Sequence, residues 1–423
     1  MIFKTTESKG GIPLVVSEME QVESVCVGLW FPAGSRYEAA ADSGALHFIE
    51  HLLFKGTKRR NARQISEAIE GVGGYLNAFT SEEMSCYHAA APASQIGLLF
   101  DVLTDMVENS VFAADEIERE RGVILEEIKM YEDQPSQVVQ DRLNALLWPR
   151  HGLGRPITGT LASVAKLTRA DLLAVRRRYY DPARMTVTVA GRTTVDEVTK
   201  LLGRRRGSGA ARSFRAFRSS KADRKRYPAF SGVRKTIEQT HLAIGLLGVS
   251  RHDPRRYALK MLSVILGENM SSRLFQLIRE RYGLAYSIST QVSFFHDTGS
   301  FNLVAGVENE KAVQALKMSL KTLIAIARKA PTAGELRRAR DYVIGQMYLG
   351  LEGTANQMMW AGEGMVGYGS VLSPREAARR ISEVTAEEVR AAAAFLMRDD
   401  RLAVAVVGPS VDAEEMRKAA CFV

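Results

Sequence analysis

The chain has 423 residues, of which 46% are hydrophobic and 25% charged, and its formal net charge at pH 7 is +9. These proportions exclude disordered, collagen-like and disulfide-framework proteins, and the length predicts two or more domains. No run of about 18 apolar residues occurs, so the sequence predicts no membrane-spanning helix.

The first half of the chain predicts strands followed by helices. In chain order, the strands cover residues 12–16, 24–32, 74–79 and 84–90. Apolar residues at helical spacing predict helices over residues 43–56, 61–71, 93–109, 114–133, 136–148 and 168–179. Runs of strands beside runs of helices favour an α+β sandwich, in which helices pack on a mostly antiparallel sheet.

The second half repeats the pattern of the first. The segment Thr168–Leu172 precedes a predicted strand at 184–191, and the segment Thr385–Val389, 217 positions later, precedes a similar strand at 401–408. We therefore predict two homologous α/β-sandwich halves related by duplication, each too long to be a solenoid repeat.

A basic segment separates these halves. Between Arg204 and Arg226 there are ten basic residues and one acidic residue, which account for the whole net charge of +9. This Gly-, Ser- and Arg-rich segment predicts a flexible linker at 204–227 between an N-terminal domain, 1–203, and a C-terminal domain, 228–423. Nucleic-acid-binding domains spread such charge over a folded face, so we expect no specific nucleic-acid partner. An electrostatic role of the linker toward acidic partners is the alternative.

The expected location is a bacterial-type cytoplasm, without membrane insertion. The first residues show neither a secretory signal peptide nor an Arg-rich presequence. The cysteines, Cys26, Cys86 and Cys421, are odd in number and far apart, which fits a reducing compartment.

One predicted helix carries the pattern His-x-x-Glu-His, at His47, Glu50 and His51. Residues three and four apart share a helix face, so both imidazoles can reach one metal ion, with the carboxylate beside them. Neutral imidazoles suit zinc, and a neighbouring carboxylate can take a proton from a zinc-activated water. Asp42 or Ser43 is expected to cap this helix.

A catalytic zinc ion needs a third protein ligand and one open position. Glu120 and Glu127 are seven residues apart in the predicted helix 114–133 and therefore share a face, whereas Glu126 points elsewhere. The alternative interpretation is an ordinary solvated acidic helix surface. Lone histidines elsewhere, His252 among them, are assigned to structure or surface.

These motifs resemble the pitrilysin family of zinc peptidases, and within it the branch of mitochondrial processing peptidase and its bacterial relatives. The likeness extends over essentially the whole chain. The segments that carry it, besides the histidine and glutamate motifs, are Phe31–Glu38, Leu52–Thr57, Gly74–Thr80, Gly152–Thr160 and Ser272–Ser287.

The resemblance implies a zinc-dependent endopeptidase that cleaves peptides or extended unfolded segments. One zinc ion per chain would be bound by His47, His51 and Glu127, with Glu50 as general base and Glu120 orienting a ligand. The two halves would form a clam-like chamber around the substrate.

The resemblance also assigns Arg279 and Tyr286 of the second half to the active site, where a tyrosine hydroxyl can stabilise an oxyanion. Substrate would add as a strand at Asn77, Ala78 and Phe79. The second half lacks matching zinc ligands, so it is expected to complete the site of the first. We expect a homodimer. The alternative from another class is a non-catalytic structural subunit of the same fold.

Overall fold

The computed structural model describes residues 2–203, 205, 228–409 and 413–422, so nearly all of the predicted linker lies outside the described residues. The described residues form two compact units. Those of the first unit fall within Met1–Lys129, Arg155–Phe217 and Tyr348–Pro374. Those of the second fall within Met130–Gly154, Arg218–Met347 and Arg375–Val423.

Strands and helices alternate in groups along the chain. The strands are β1 (Phe3–Glu7), β2 (Pro13–Glu18), β3 (Ser24–Phe31), β4 (Tyr75–Thr80), β5 (Ser85–Pro92), β6 (Thr186–Gly191), β7 (Ala229–Arg234), β8 (Gln239–Leu247), β9 (Ala285–Phe294), β10 (Gly299–Glu308) and β11 (Leu402–Gly408).

The helices of the first half are α1 (Ala45–Leu53), α2 (Ala62–Glu70), α3 (Ile96–Asn109), α4 (Ala114–Asp133), α5 (Pro135–Leu147), α6 (Leu161–Val164), α7 (Arg169–Tyr179) and α8 (Val195–Leu202). Those of the second half are α9 (Arg256–Leu266), α10 (Ala312–Arg328), α11 (Ala333–Gly350), α12 (Thr354–Tyr368), α13 (Pro374–Glu383), α14 (Ala386–Leu396) and α15 (Ala413–Ala419).

The first unit is built on a sheet with the strand order β1-β2-β6-β3-β5-β4. β2 and β6 are parallel, and the other neighbouring strands are antiparallel. One face of this sheet packs against helices that include α1, α3 and α7, and the other face packs against α12. β4 therefore lies at an edge of the sheet, beside α1.

The second unit has the equivalent sheet, with the order β7-β11-β8-β10-β9 and one parallel pair, β7 with β11. Helices α9, α10 and α14 cover one face, and α5 covers the other. The repeated topology agrees with the predicted duplication, and the α+β fold class predicted from the sequence is confirmed. β1, at the start of the chain, was not predicted.

A repeated helix cap marks the duplication at the level of single side chains. Thr168 Oγ1 accepts a hydrogen bond from the Asp171 N–H at 3.2 Å, and Asp171 accepts one from the Thr168 N–H. Thr385 and Glu388, 217 positions later, form the same reciprocal pair. Each pair satisfies N–H groups that the first turn of a helix leaves without intrahelical partners.

The two halves of the sequence exchange one helix, so the compact units differ from the predicted domains 1–203 and 228–423. α5 comes from the first half, but its apolar side packs on β7, β8 and β11 of the second unit. α12 comes from the second half and packs on β2, β3 and β6 of the first unit. α5 and α12 begin 219 positions apart, as do α4 and α11, so the exchange is reciprocal.

The packing of α12 depends on the absence of a side chain at Gly362. A Cβ atom there would lie 1.9 Å from Cε2 of the buried Trp30 indole. The indole N–H donates to Thr188 Oγ1 at 2.8 Å, and this hydroxyl donates to the Met358 carbonyl of α12 at 3.2 Å. The helix backbone therefore rests directly on the ring.

None of the helices in the described part of the chain has the length and apolar character needed to cross a membrane.

We predict that Gly362→Ala destabilises the protein, because the added methyl group must displace either the indole or α12. Overpacking of a core typically costs about 1–3 kcal/mol. Gly345→Ala in α11 is the matched control, since a Cβ there meets no atom within 4 Å and alanine favours a helix by up to about 1 kcal/mol. Thermal unfolding of both variants measures the difference, and equal melting temperatures would contradict this account.

Candidate metal centre

Helix α1 starts at a buried carboxylate. Oε2 of Glu38 accepts from the Gly44 N–H at 2.9 Å, and Oε1 accepts from the Leu46 N–H at 2.8 Å. Burial raises the pKa of Glu38 to about 8, and these two N–H donors oppose the rise. Gly44 has φ of 91°, which favours glycine, and a Cβ there would lie 2.6 Å from the Thr158 carbonyl oxygen. The predicted cap by Asp42 or Ser43 was therefore wrong, because Glu38 takes that role.

Three side chains of the predicted metal site lie together. Nε2 of His47 is 3.8 Å from Oε2 of Glu127, and Nε2 of His51 is 3.7 Å from the same oxygen. One ligand atom from each residue lies within 4.8 Å of the other two. In the described part of the chain this is the one group of three such donors. α1 supplies both imidazoles, and α4 supplies the carboxylate from a face that does not include Glu126.

Glu120 fixes the orientation of one imidazole. Its Oε2 lies 3.1 Å from His51 Nδ1, so this ring nitrogen carries the proton and Nε2 keeps its lone pair toward Glu127. The other oxygen of Glu120 pairs with Lys55 at 2.7 Å. Glu120 is 4% exposed, and Lys55 balances its charge. Glu126, in contrast, is exposed and pairs with Lys129.

Glu50 lies on the same helix as the two imidazoles and is partly buried. Burial raises its pKa, while hydrogen bonding from Thr80 lowers it. Its Oε2 is inaccessible to solvent and has no hydrogen-bond partner within the described residues. Among the described residues, no donor therefore competes for this oxygen when it accepts a proton.

The donor set fits zinc. Burial, with a smaller contribution from His51, lowers the pKa of His47 to about 4, so its imidazole is neutral near pH 7. Neutral imidazole nitrogens and one carboxylate oxygen are the ligands of many catalytic zinc sites, in which the fourth position stays open. Glu50, on the same helix as both imidazoles, has an orphaned oxygen that would serve as the proton acceptor of such a site.

The predicted substrate strand is the edge strand β4. Asn77 and Ala78 pair with His88 and Tyr87 of β5, and the outer side of β4 pairs with no strand in the described residues. The Ala78 N–H donates to Asn77 Oδ1 at 2.8 Å. Phe79 packs edge-on against Trp30, so this end of the strand is anchored.

Arg279 and Tyr286 lie in the second unit, around a short helical segment, Phe275–Arg281, and the start of β9. The Arg279 guanidinium lies over the Phe275 ring at 4.7 Å and over the Tyr286 ring at 5.7 Å. Tyr286 is 76% exposed, which is unusual for an aromatic side chain on a strand. The active-site roles of Arg279 and Tyr286 stay predictions.

Sequence reasoning missed three residues that support the site. Glu38 caps α1, Lys55 balances Glu120, and Thr80 interacts with Glu50. Lys55 lies four residues after His51 within the predicted helix 43–56, so helical spacing could have indicated its position, although α1 itself ends at Leu53. Glu38 and Thr80 come from loop and strand positions whose proximity only the tertiary structure shows.

Two family models match most of the chain. The insulinase model of peptidase family M16 matches residues 14–161, and the model of the peptidase M16 inactive domain matches residues 166–343. His47, His51 and Glu127 all lie in the part matched by the first model.

Relatives with zinc-protease names span nearly the same length. The chain is 38% identical over 96% of its length to an uncharacterized zinc protease of Mycobacterium tuberculosis, of which it covers 93%. It is 34% identical over 97% of its length to the uncharacterized zinc protease YmxG of Bacillus subtilis, of which it covers 99%. A protease structure from Helicobacter pylori aligns over 96% of this chain and 99% of that one, with a TM-score of 0.90 and 20% identity.

The chain therefore belongs to peptidase family M16, which confirms the family predicted from its motifs.

We predict that Glu120→Gln weakens zinc binding about 10- to 100-fold, as is typical when the partner of a ligating histidine is removed. The amide carries no charge to hold the His51 proton, and Lys55 loses its ion pair. Glu126→Gln on the same helix is the matched control, because Glu126 is exposed and directed away from the site. Competition with a chromophoric chelator measures both affinities. Unchanged zinc affinity in Glu120→Gln would show that Glu120 does not orient His51.

Proposed function

We propose that this protein is a zinc-dependent endopeptidase that cleaves peptides or extended, unfolded segments. The observation that carries the proposal is the grouping of two imidazoles and one carboxylate beside a buried Glu50 oxygen without a partner. The zinc-protease names of the relatives support it. A site with only a structural metal would have no need for this fourth, unpaired oxygen.

Glu50 acts as the general base of this reaction. A zinc ion held by His47, His51 and Glu127 would lower the pKa of a water molecule and polarise the scissile carbonyl. Glu50 takes the proton of the attacking water and delivers it to the leaving amine. Its raised pKa suits both steps, since a base works best when its pKa approaches the working pH.

An extended substrate pairs with the outer edge of β4, near Asn77, Ala78 and Phe79. Pairing of this kind uses main-chain hydrogen bonds and so accepts many sequences, provided that the substrate can be extended. The Ala78 N–H, satisfied by its neighbour Asn77 in the structure, becomes a donor for substrate when that side chain turns away. Folded proteins cannot present such a strand and are poor substrates.

Tyr286 completes the catalytic machinery by donating its hydroxyl to the oxyanion of the tetrahedral intermediate. The exposure of Tyr286 and the guanidinium of Arg279 over its ring support this assignment. Arg279 holds the ring in place and adds positive charge beside it.

The protein works as a homodimer with one zinc ion per chain, in the cytoplasm. The free thiols of Cys26, Cys86 and Cys421 fit a reducing compartment. Light scattering after size-exclusion chromatography tests the dimer, and metal analysis tests the stoichiometry. A non-catalytic scaffold of the same fold would need no complete set of metal donors.

We predict that Glu50→Gln keeps zinc and the fold but lowers turnover by at least the hundredfold to ten-thousandfold attributed to a general base. The amide has nearly the same shape as the carboxylate but cannot accept the proton. Zinc content and cleavage of an unstructured, internally quenched peptide are measured together. If the variant kept both zinc and wild-type turnover, Glu50 would not be the base. A zinc-free wild type with full activity would refute the metallopeptidase assignment altogether.

We predict that Tyr286→Phe lowers kcat about 100- to 1,000-fold, the usual effect of removing one oxyanion donor, with little change in KM or zinc content. Tyr282→Phe in the same segment is the matched control, because Tyr282 is also exposed but has no assigned role. Steady-state kinetics on one peptide distinguishes the two variants. Equal kcat for both would remove Tyr286 from the mechanism.

A further inference from the structure

Two exposed histidines face each other at one end of the second sheet. His252 lies in the connection between β8 and α9, and His296 lies in the turn between β9 and β10. Nε2 of His252 is 3.3 Å from Nδ1 of His296, the ring centroids are 4.9 Å apart, and the rings are tilted by 79°. Neither belongs to the His47–His51–Glu127 group.

The separation of the two nitrogens matches that of two ligands on one metal ion. Zinc–imidazole bonds measure about 2.0–2.1 Å in tetrahedral sites, so two such nitrogens lie roughly 3.3 Å apart. The two imidazoles already have this spacing in the hydrogen-bonded arrangement that the structure shows.

The turns that carry the two histidines are fixed to each other. The Arg251 N–H donates to the Phe295 carbonyl at 2.8 Å, and the Gly248 N–H donates to the Gly299 carbonyl at 2.7 Å. Phe295 itself is buried and packs edge-on against Trp148. Because the residues beside both histidines are held this way, the backbone positions of the two histidines are fixed relative to each other.

The carboxylate that follows His252 in the sequence is held by another residue. Asp253 follows His252, but its carboxylate accepts three hydrogen bonds from Arg255, between 2.6 and 2.9 Å. No acidic side chain joins the two histidines in a group of three donors within the described residues. The site would therefore use two protein ligands, which implies weaker and more exchangeable binding than at the His47–His51–Glu127 group.

We propose that His252 and His296 form a second metal site, which takes a late first-row divalent ion such as Cu²⁺, Ni²⁺ or Zn²⁺. Imidazole pairs suit these ions, and affinity follows the order in which Cu²⁺ binds most tightly. The bound ion cross-links the β8–α9 connection to the β9–β10 turn and thereby stabilises the second unit. This inference is independent of the proposed peptidase activity.

Cu²⁺ binding to the full-length chain tests the proposal. The chain is stripped with a chelator and titrated calorimetrically, both as wild type and with His51→Ala, which removes the competing donor group. In each background, His252→Gln and His296→Gln are compared with His241→Gln. His241 lies in β8 of the same unit, so all three variants lose one histidine.

We expect the His51→Ala chain to bind one Cu²⁺ and to gain thermal stability from it. Adding His252→Gln or His296→Gln should abolish both effects, whereas adding His241→Gln should preserve them. In the wild-type background, His252→Gln or His296→Gln should lower the number of bound Cu²⁺ ions per chain from two to one. Copper binding that is unaffected by His252→Gln and His296→Gln, or absent from the His51→Ala chain, would overturn the site.

Discussion

The candidate metal centre depends on helix α1, which must pack one side into the core and present polar side chains on the other. One side of α1 is buried in the core of the first unit, and the other side holds His47, Glu50 and His51 together. Its first N–H groups are also buried and need an acceptor. Glu38 supplies that acceptor from a preceding loop, and Gly44 allows the chain to turn into the helix without a clash. The start of α1 at Gly44 therefore sets the positions of His47 and His51 on the helix.

Four carboxylates near α1 differ in function because their surroundings differ. Glu38 is buried against backbone donors, and its pKa is about 8. Glu120 is equally buried, but it is paired with Lys55 and His51, so its charge is balanced. Glu50 keeps one oxygen without a partner, and Glu127 faces two imidazole nitrogens at distances too long for hydrogen bonds. The same functional group thus serves as helix cap and orienting group, and in the proposed mechanism as base and ligand.

Helical spacing accounts for the part of the site that the sequence predicts. Positions four and seven apart share a face wherever the helix lies, so the relation of His47 to His51 and of Glu120 to Glu127 could be read directly. The pairing of α1 with α4, the cap by Glu38 and the approach of Thr80 to Glu50 are tertiary contacts. No local sequence pattern predicts these contacts. The likeness to a known family supplied the link between the two helices, which periodicity alone left open.

For the fold, the exchange of α5 and α12 is the feature that the sequence does not predict. The apolar side of α5 would look the same on either sheet, so its sequence predicts a packed helix but not its partner. This exchange makes the two duplicated halves depend on each other. A half-chain that ended before α12 would leave Trp30 and its buried neighbours in β3 and β5 without cover on one face. The metal donors come from one half of the sequence, but the core that supports them requires both, so the second half is needed for the fold of the first unit whatever it contributes to the chemistry.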